Sequence, residues 1–299
     1  MPTDVRLART NDIEICFETH GDPSDEPLLL VMGLGSQLVH WPQVFIDAFV
    51  DRGFFVIRYD NRDTGLSTGF DDAPIEDFFA TFAAAAGGEA VDVPYRLTDM
   101  AADGIGLLDE LGIDTAHVLG ISMGGMIAQT MAIEHPGRVR TLTSIMSTTG
   151  DPDVGQPTPE AMAALMAPVP ATRAEAIDAS VMTRKVIGSP DHFDEPYVRE
   201  VATLAHDRAW RPAGTARQLL AIVASGSRAE GLSQLDAPTL VVHGDRDPLV
   251  VPTGGERTAA LIPGAQLMLL EGMGHDIVPA FVGPIVEAVT SLAARVPLR

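Results

Sequence analysis

Two hydrophobic periods alternate along this chain. Short strand-type runs occupy residues 28–32, 54–59, 116–121, 139–146, 239–243 and 265–270, several of them introduced by breakers such as Pro27, Gly53 and Pro238. Helical spacing fills much of the sequence between them, at 41–49, 99–111, 123–135 and, last, 279–295. In the second of these, Met100, Ile105, Leu107, Leu108 and Leu111 recur at helical intervals, and Gly112 supplies the stop. Strands that are apolar throughout are buried on both faces, and the interleaved helices provide the cover, so the pattern predicts an α/β fold with a largely parallel sheet. The start differs: β-type segments at 5–8 and 13–20, separated by Thr10-Asn11-Asp12, predict a hairpin.

Between Thr148 and Leu235 the alternation lapses. Pro152, Pro157, Pro159, Pro168 and Pro170 cluster at the start of this stretch, and Ala-rich helical sequence follows. It reads as an insertion, residues 149–234, over one edge of a core formed by 1–148 and 235–299. Residues 69–94, with Phe78, Phe79, Phe82 and an Ala-Gly tract, read as a smaller irregular segment bordering a pocket.

Composition narrows the chemistry. With 299 residues, 46% hydrophobic and 20% charged, the chain has the make-up of a globular protein. Lys plus Arg is 20 and Asp plus Glu is 41, a net charge of −21 that argues against nucleic acid or an anionic membrane surface as partner. The single cysteine, Cys16, excludes an intramolecular disulfide and a multi-cysteine metal site, and it fits a reducing compartment. Residues 1–18 lack the basic start and apolar run of a signal peptide, and no stretch approaches 18 uninterrupted apolar residues. The expectation is a cytoplasmic protein without membrane insertion.

The most informative segment is Gly120-Ile121-Ser122-Met123-Gly124, a G-x-S-x-G turn between the run at 116–121 and the helical pattern after it. In such a turn the serine takes a strained backbone conformation, and glycines two places to either side let strand and helix pass closely. The Met123 amide then sits at a helix N-terminus, where unpaired N–H groups favour negative charge. An alcohol at neutral pH needs a base within reach and an acid to orient that base. His275 follows the last strand in Gly272-Met273-Gly274-His275, and Asp245 and Asp247 follow the strand at 239–243, both at the C-terminal strand ends where open α/β sheets place their sites. Asp247 is preferred to Asp245 because it lies deeper in the loop and beside Pro248. Met32-Gly33-Leu34-Gly35-Ser36 supplies a further amide, that of Leu34, for an oxyanion.

With these residues in place, the chain resembles α/β-hydrolase-fold serine hydrolases over essentially its whole length. The likeness rests on Gly33-Leu34-Gly35, the segment from Tyr59 to Ser67, Gly120 to Gly124, Asp247-Pro248 and Gly274-His275, which occur in the family's order. Val31-Met32-Gly33 and Arg58-Tyr59-Asp60-Asn61-Arg62-Asp63 resemble the aclacinomycin methylesterase branch and related actinobacterial carboxylesterases. The chain departs from the commoner pattern with Met32 where His is usual and with Asp63 where Gly is often seen. The resemblance implies an eight-stranded, mostly parallel core and a helical cap inserted after the sixth strand, matching residues 149–234. Asp60 and Arg62 are expected to brace the surrounding loops through a charge pair.

The expected chemistry is hydrolysis of a carboxylic ester of a small, largely apolar molecule. Ser122 acts as nucleophile, His275 as base, Asp247 as orienting acid, and the amides of Leu34 and Met123 hold the oxyanion. No metal or organic cofactor is required. Trp41 and, in the cap, Met162, Leu165, Met166, Met182 and Trp210 are candidate pocket walls. The same triad also serves lactonases, carbon–carbon bond hydrolases and cofactor-free haloperoxidases, and a non-catalytic binding protein is the alternative of a different class.

Overall fold

A computed structural model describes residues 6–75 and 77–296. The hairpin consists of β1 (Arg6–Thr10) and β2 (Ile13–His20), with Thr10 opposite Ile13. Asn11 and Asp12 have φ of 49° and 61°, the paired left-handed conformation that matches the twist of two antiparallel strands. The predicted first residue of this hairpin, Val5, lies outside the described residues.

The chain continues through β3 (Glu26–Val31), α1 (Gln43–Val50), β4 (Phe54–Tyr59), α2 (Phe78–Ala86), α3 (Leu97–Glu110), β5 (Ala116–Ile121), α4 (Met123–Glu134) and β6 (Val139–Ile145). Helices α5 (Pro159–Leu165), α6 (Arg173–Ile187), α7 (Glu195–Arg208), α8 (Pro212–Ser225) and α9 (Ala229–Leu232) come next. The chain then returns to β7 (Thr239–Gly244), α10 (Thr253–Leu261), β8 (Gln266–Leu270) and α11 (Pro279–Ala293). The strands form one eight-stranded sheet in the order β1-β2-β4-β3-β5-β6-β7-β8. β1 with β2 and β2 with β4 pair antiparallel, and the remaining pairs are parallel.

Strand β3 shows why the strand runs are continuously apolar. Leu29 and Val31 point into a core shared with Met100 and Leu107 of α3 and Ile127 and Met131 of α4, whereas Leu28 and Leu30 meet Phe45 and Phe49 of α1 and Ile285 and Val289 of α11. Successive side chains leave opposite faces of a strand, so a sheet covered on both sides needs an apolar residue at every position. Strand β8 differs because it is an edge: Leu267 and Leu269 are exposed. The segment read as irregular contains α2, an Ala-rich helix capped by Asp77, whose Oδ1 accepts from Ala80 N at 2.9 Å. Among the described residues, no helix is long and apolar enough to cross a membrane.

Candidate active site

Ser122 follows β5 directly and has φ 55° and ψ −123°, a conformation rarely held by a residue with a side chain. The surroundings enforce it. The Ser122 N–H donates to Ile145 O at 2.9 Å, and the Ser122 carbonyl accepts from Gly125 N at 2.9 Å, Met126 N at 3.2 Å and Ser147 Oγ at 2.8 Å. A Cβ on Gly120 would lie 2.0 Å from Gly124 O, and one on Gly124 would lie 2.0 Å from Val31 O. Both glycines therefore serve close backbone passage rather than flexibility.

Asp247 and His275 stand past the C-terminal ends of β7 and β8. His275 Nδ1 lies 2.7 Å from Asp247 Oδ2, with His275 6% and Asp247 3% exposed. The other carboxylate oxygen, Oδ1, accepts from Leu249 N at 2.9 Å and Val250 N at 3.0 Å, which fixes the carboxylate plane. Asp245 points elsewhere, accepting from Gly272 N at 2.7 Å and so tying the two loops together. His243, at the end of β7, makes a buried structural contact beside the pair of Asp247 and His275. Its Nε2 lies 2.7 Å from Val250 O and 3.6 Å from Asp247 Oδ2, and burial pushes this imidazole down, so it stays neutral near pH 7.

The His275 loop is gripped from α6 and the turn after it. His275 N donates to Ile187 O at 2.7 Å, and Arg184 Nη1 donates to His275 O at 3.0 Å. Ser189 Oγ donates to Asp276 Oδ1 at 2.6 Å and accepts from Gly274 N at 2.9 Å. Ser189→Ala leaves the buried Gly274 amide without its acceptor, and a loss of about 1–3 kcal/mol in urea unfolding is expected. An unchanged midpoint would contradict that role.

The loop after β3 brings Gly33 against Ser122: a Cβ there would lie 3.2 Å from Ser122 Cβ and 3.7 Å from Oγ. Neither Leu34 N nor Met123 N donates to an acceptor among the described residues. Gly35 N donates to Gln218 Oε1 of α8 at 2.8 Å.

The expected pairing of Asp60 with Arg62 is not what forms. Arg62 binds Asp103 of α3 through two bonds of 2.6 Å, while Asp60 accepts from Leu38 N at 2.7 Å, Leu66 N at 3.0 Å and Arg208 Nη1 of α7 at 2.6 Å. Asp63 binds Arg217 of α8 at 2.8 and 2.9 Å and accepts from Tyr95 Oη at 2.7 Å. Asp63 has φ 67°, in the left-handed region that favours glycine. A short acidic side chain tolerates that region better than most, and the Arg217 fork holds it there.

The candidate pocket residues occupy mixed positions. Trp41 is 1% exposed and stacks on Phe45, ring centroids 5.6 Å apart, in the core against α11. Met162, Leu165 and Met166 are half-buried. Met182 is exposed, and Trp210, 44% exposed, stacks on His206. Arg184, Ser189, Arg208, Arg217 and Gln218 are among the residues that tie the inserted helices to the loops, and no local motif marks them. Their partners lie up to 192 residues away in the chain.

Residues 26–279 match the family described as alpha/beta hydrolase fold. Rhodomycin D methylesterase DnrP of Streptomyces peucetius is 31% identical, with 97% of both chains covered. 3-Oxoadipate enol-lactonase 2 of Acinetobacter baylyi is 26% identical over 87% of this chain and 86% of its own. Among solved structures, the meta-cleavage product hydrolase CumD of Pseudomonas fluorescens IP01 superposes with a TM-score of 0.76 at 20% identity, covering 98% of both chains. The match spans both flanks of the inserted helices and the loops carrying Ser122, Asp247 and His275, and the chain belongs to the alpha/beta hydrolase fold family.

Proposed function

We propose that the protein is a serine carboxylic ester hydrolase acting on a small, largely apolar ester through Ser122, His275 and Asp247. The observation that carries this reading is the 2.7 Å bond from His275 Nδ1 to a buried Asp247 whose other oxygen is held by two backbone amides. That bond commits Nδ1 as the protonated nitrogen and leaves Nε2 with a lone pair to act as base.

In the reaction, Nε2 takes the Ser122 hydroxyl proton as Oγ attacks the ester carbonyl, and the Leu34 and Met123 amides hold the oxyanion. The tetrahedral species collapses, and the alcohol leaves with the proton from His275. Water, deprotonated by the same nitrogen, then attacks the acyl-enzyme and releases the acid, restoring Ser122. The similarity to a methylesterase over nearly the full length supports an ester as the bond cleaved. Residues 149–234 act as a cap, with Met162 and Met166 as half-buried walls of the acyl or alcohol pocket. The single cysteine supports a cytoplasmic setting.

A fluorophosphonate is expected to phosphonylate Ser122 in the folded protein, located by peptide mass spectrometry, with no adduct on the Ser122→Ala protein or on heat-denatured chain. Absence of a Ser122 adduct contradicts the triad. A panel of esters graded in acyl and alcohol size, run beside lactones and amides, tests the bond type; turnover of lactones alone overturns the carboxylic ester assignment.

A further inference from the structure

We infer that Gln218, on helix α8 of the inserted segment, is a positioning residue for the oxyanion-binding amide of Leu34. The inference rests on the serine hydrolase reading above and adds to it a residue that never touches substrate.

Gln218 is fully buried, and its amide is used on both sides. Oε1 accepts from Gly35 N at 2.8 Å, and Nε2 donates to Arg62 O and to Thr64 Oγ1, each at 2.7 Å. The orientation is forced: exchanging oxygen and nitrogen would set an acceptor against the Arg62 carbonyl and a donor against the Gly35 N–H. Gln218 therefore bridges the loop after β3 to the loop after β4, through main-chain groups of Gly35 and Arg62 and the Thr64 hydroxyl.

The loop after β3 is held at its start by Asn61 Nδ2, which donates to Met32 O at 2.9 Å, and more sparsely beyond it. At one end Gly33 abuts Ser122. At the other, Gly35, with φ 63°, lies so close to α8 that a Cβ would meet Thr215 Oγ1 at 2.7 Å. Ser36 N donates to Gly33 O at 3.2 Å, engaging the carbonyl of the peptide whose N–H belongs to Leu34. In a planar trans peptide the N–H points opposite to the C=O, so the Leu34 N–H faces away from this turn. The next peptide, Leu34 to Gly35, is held at its N–H by Gln218 at 2.8 Å and only by a long 3.4 Å bond from Ser36 Oγ at its C=O. Without the Gln218 bond the turn can rotate about Gly33 and Gly35, the glycines on either side of Leu34, and the Leu34 N–H, in the preceding peptide, turns with it.

An oxyanion donor acts by being aimed before charge develops, so loosening it costs transition-state stabilisation rather than substrate affinity. Gln218→Met keeps the length of the side chain and removes all three bonds. Its kcat on a short p-nitrophenyl ester, per site titrated with fluorophosphonate, is expected to fall about 10- to 100-fold with KM little changed. Affinity for a trifluoromethyl ketone analogue, which forms a tetrahedral adduct with the serine, is expected to fall in proportion, while that for the matching secondary alcohol stays. Gln218→Glu, which retains an acceptor for Gly35 N–H, is expected to recover part of kcat. Where Gln218→Met fails to fold, Gln218→Asn withdraws the amide by one methylene and carries the same test.

Wild-type kcat per titrated site, or equal loss of ketone and alcohol binding, overturns the inference. A wild-type protein that is phosphonylated at Ser122 while Gln218→Met keeps full kcat refutes this role alone. A wild type that takes no adduct refutes the triad as well.

Discussion

Asp247→Asn is expected to lower kcat for ester hydrolysis by about four orders of magnitude while leaving the fold and KM nearly intact. The reason lies in how the carboxylate is held. Oδ1 accepts from two backbone N–H groups, those of Leu249 and Val250, and Oδ2 accepts from His275. An asparagine at this position has one oxygen, and the two backbone donors claim it, because the alternative sets its NH2 against two N–H groups. The NH2 is then directed at His275 Nδ1. A donor facing Nδ1 makes that nitrogen the acceptor, the proton moves to Nε2, and the imidazole can no longer take a proton from Ser122. Asp247→Ala imposes no tautomer, so it is expected to retain more activity than the isosteric Asn. Steady-state kinetics of the two variants, with the imidazole tautomer read by nitrogen NMR, checks this. An Asn variant more active than the Ala variant would contradict it.

The proposed catalytic part of this arrangement is written locally in the chain, and the parts that hold it in place are not. Gly120, Ser122 and Gly124 announce a strand-to-helix turn because the steric demand is met by residues two apart. His275 and Asp247 are legible for a similar reason: each follows an apolar strand, and a parallel sheet collects the loops after its strands at one edge. The strands themselves were legible from continuous apolar runs, except that β8, as an edge, is more exposed than its composition suggests. What the residues did not disclose is which charge meets which. Asp60 and Arg62, two apart, invite pairing, yet on β4's outgoing loop they face different partners, Arg208 and Asp103. Arg208, Arg217 and Gln218 look like ordinary polar positions on helices until α7 and α8 are laid against that loop. Long-range polar contacts carry no periodicity, so sequence spacing cannot reveal them.

Arg217→Met is expected to cost about 3–5 kcal/mol of stability at pH 7, because it strands the Asp63 carboxylate in the interface between α8 and the loop after β4. The side chains of Asp63 and Arg217 are 0% and 3% exposed, and the pair is bidentate. Burial alone would raise the Asp63 carboxyl, but the bonds from Arg217, Phe70 N and Tyr95 outweigh it and hold the group below the usual carboxylate range. The unfolded chain therefore takes up this proton more readily than the folded one. The sign follows: Asp63 contributes stability above its unfolded value of about 4, and the contribution is lost as pH falls through the lower folded value. Removing Arg217 reverses the balance, since burial then acts with only Phe70 N and Tyr95 against it, and the variant is relieved by protonation instead of harmed. The stability gap between wild type and Arg217→Met, measured by urea unfolding, is thus expected to be wide at pH 7 and to narrow towards about pH 3. Adding Asp63→Asn to Arg217→Met removes the stranded charge while keeping a residue that tolerates φ 67°, and most of the loss at pH 7 is expected to return. A gap that stays constant with pH, or a double variant no more stable than Arg217→Met, would show that Arg217 acts through packing of its stem rather than through the charge it meets.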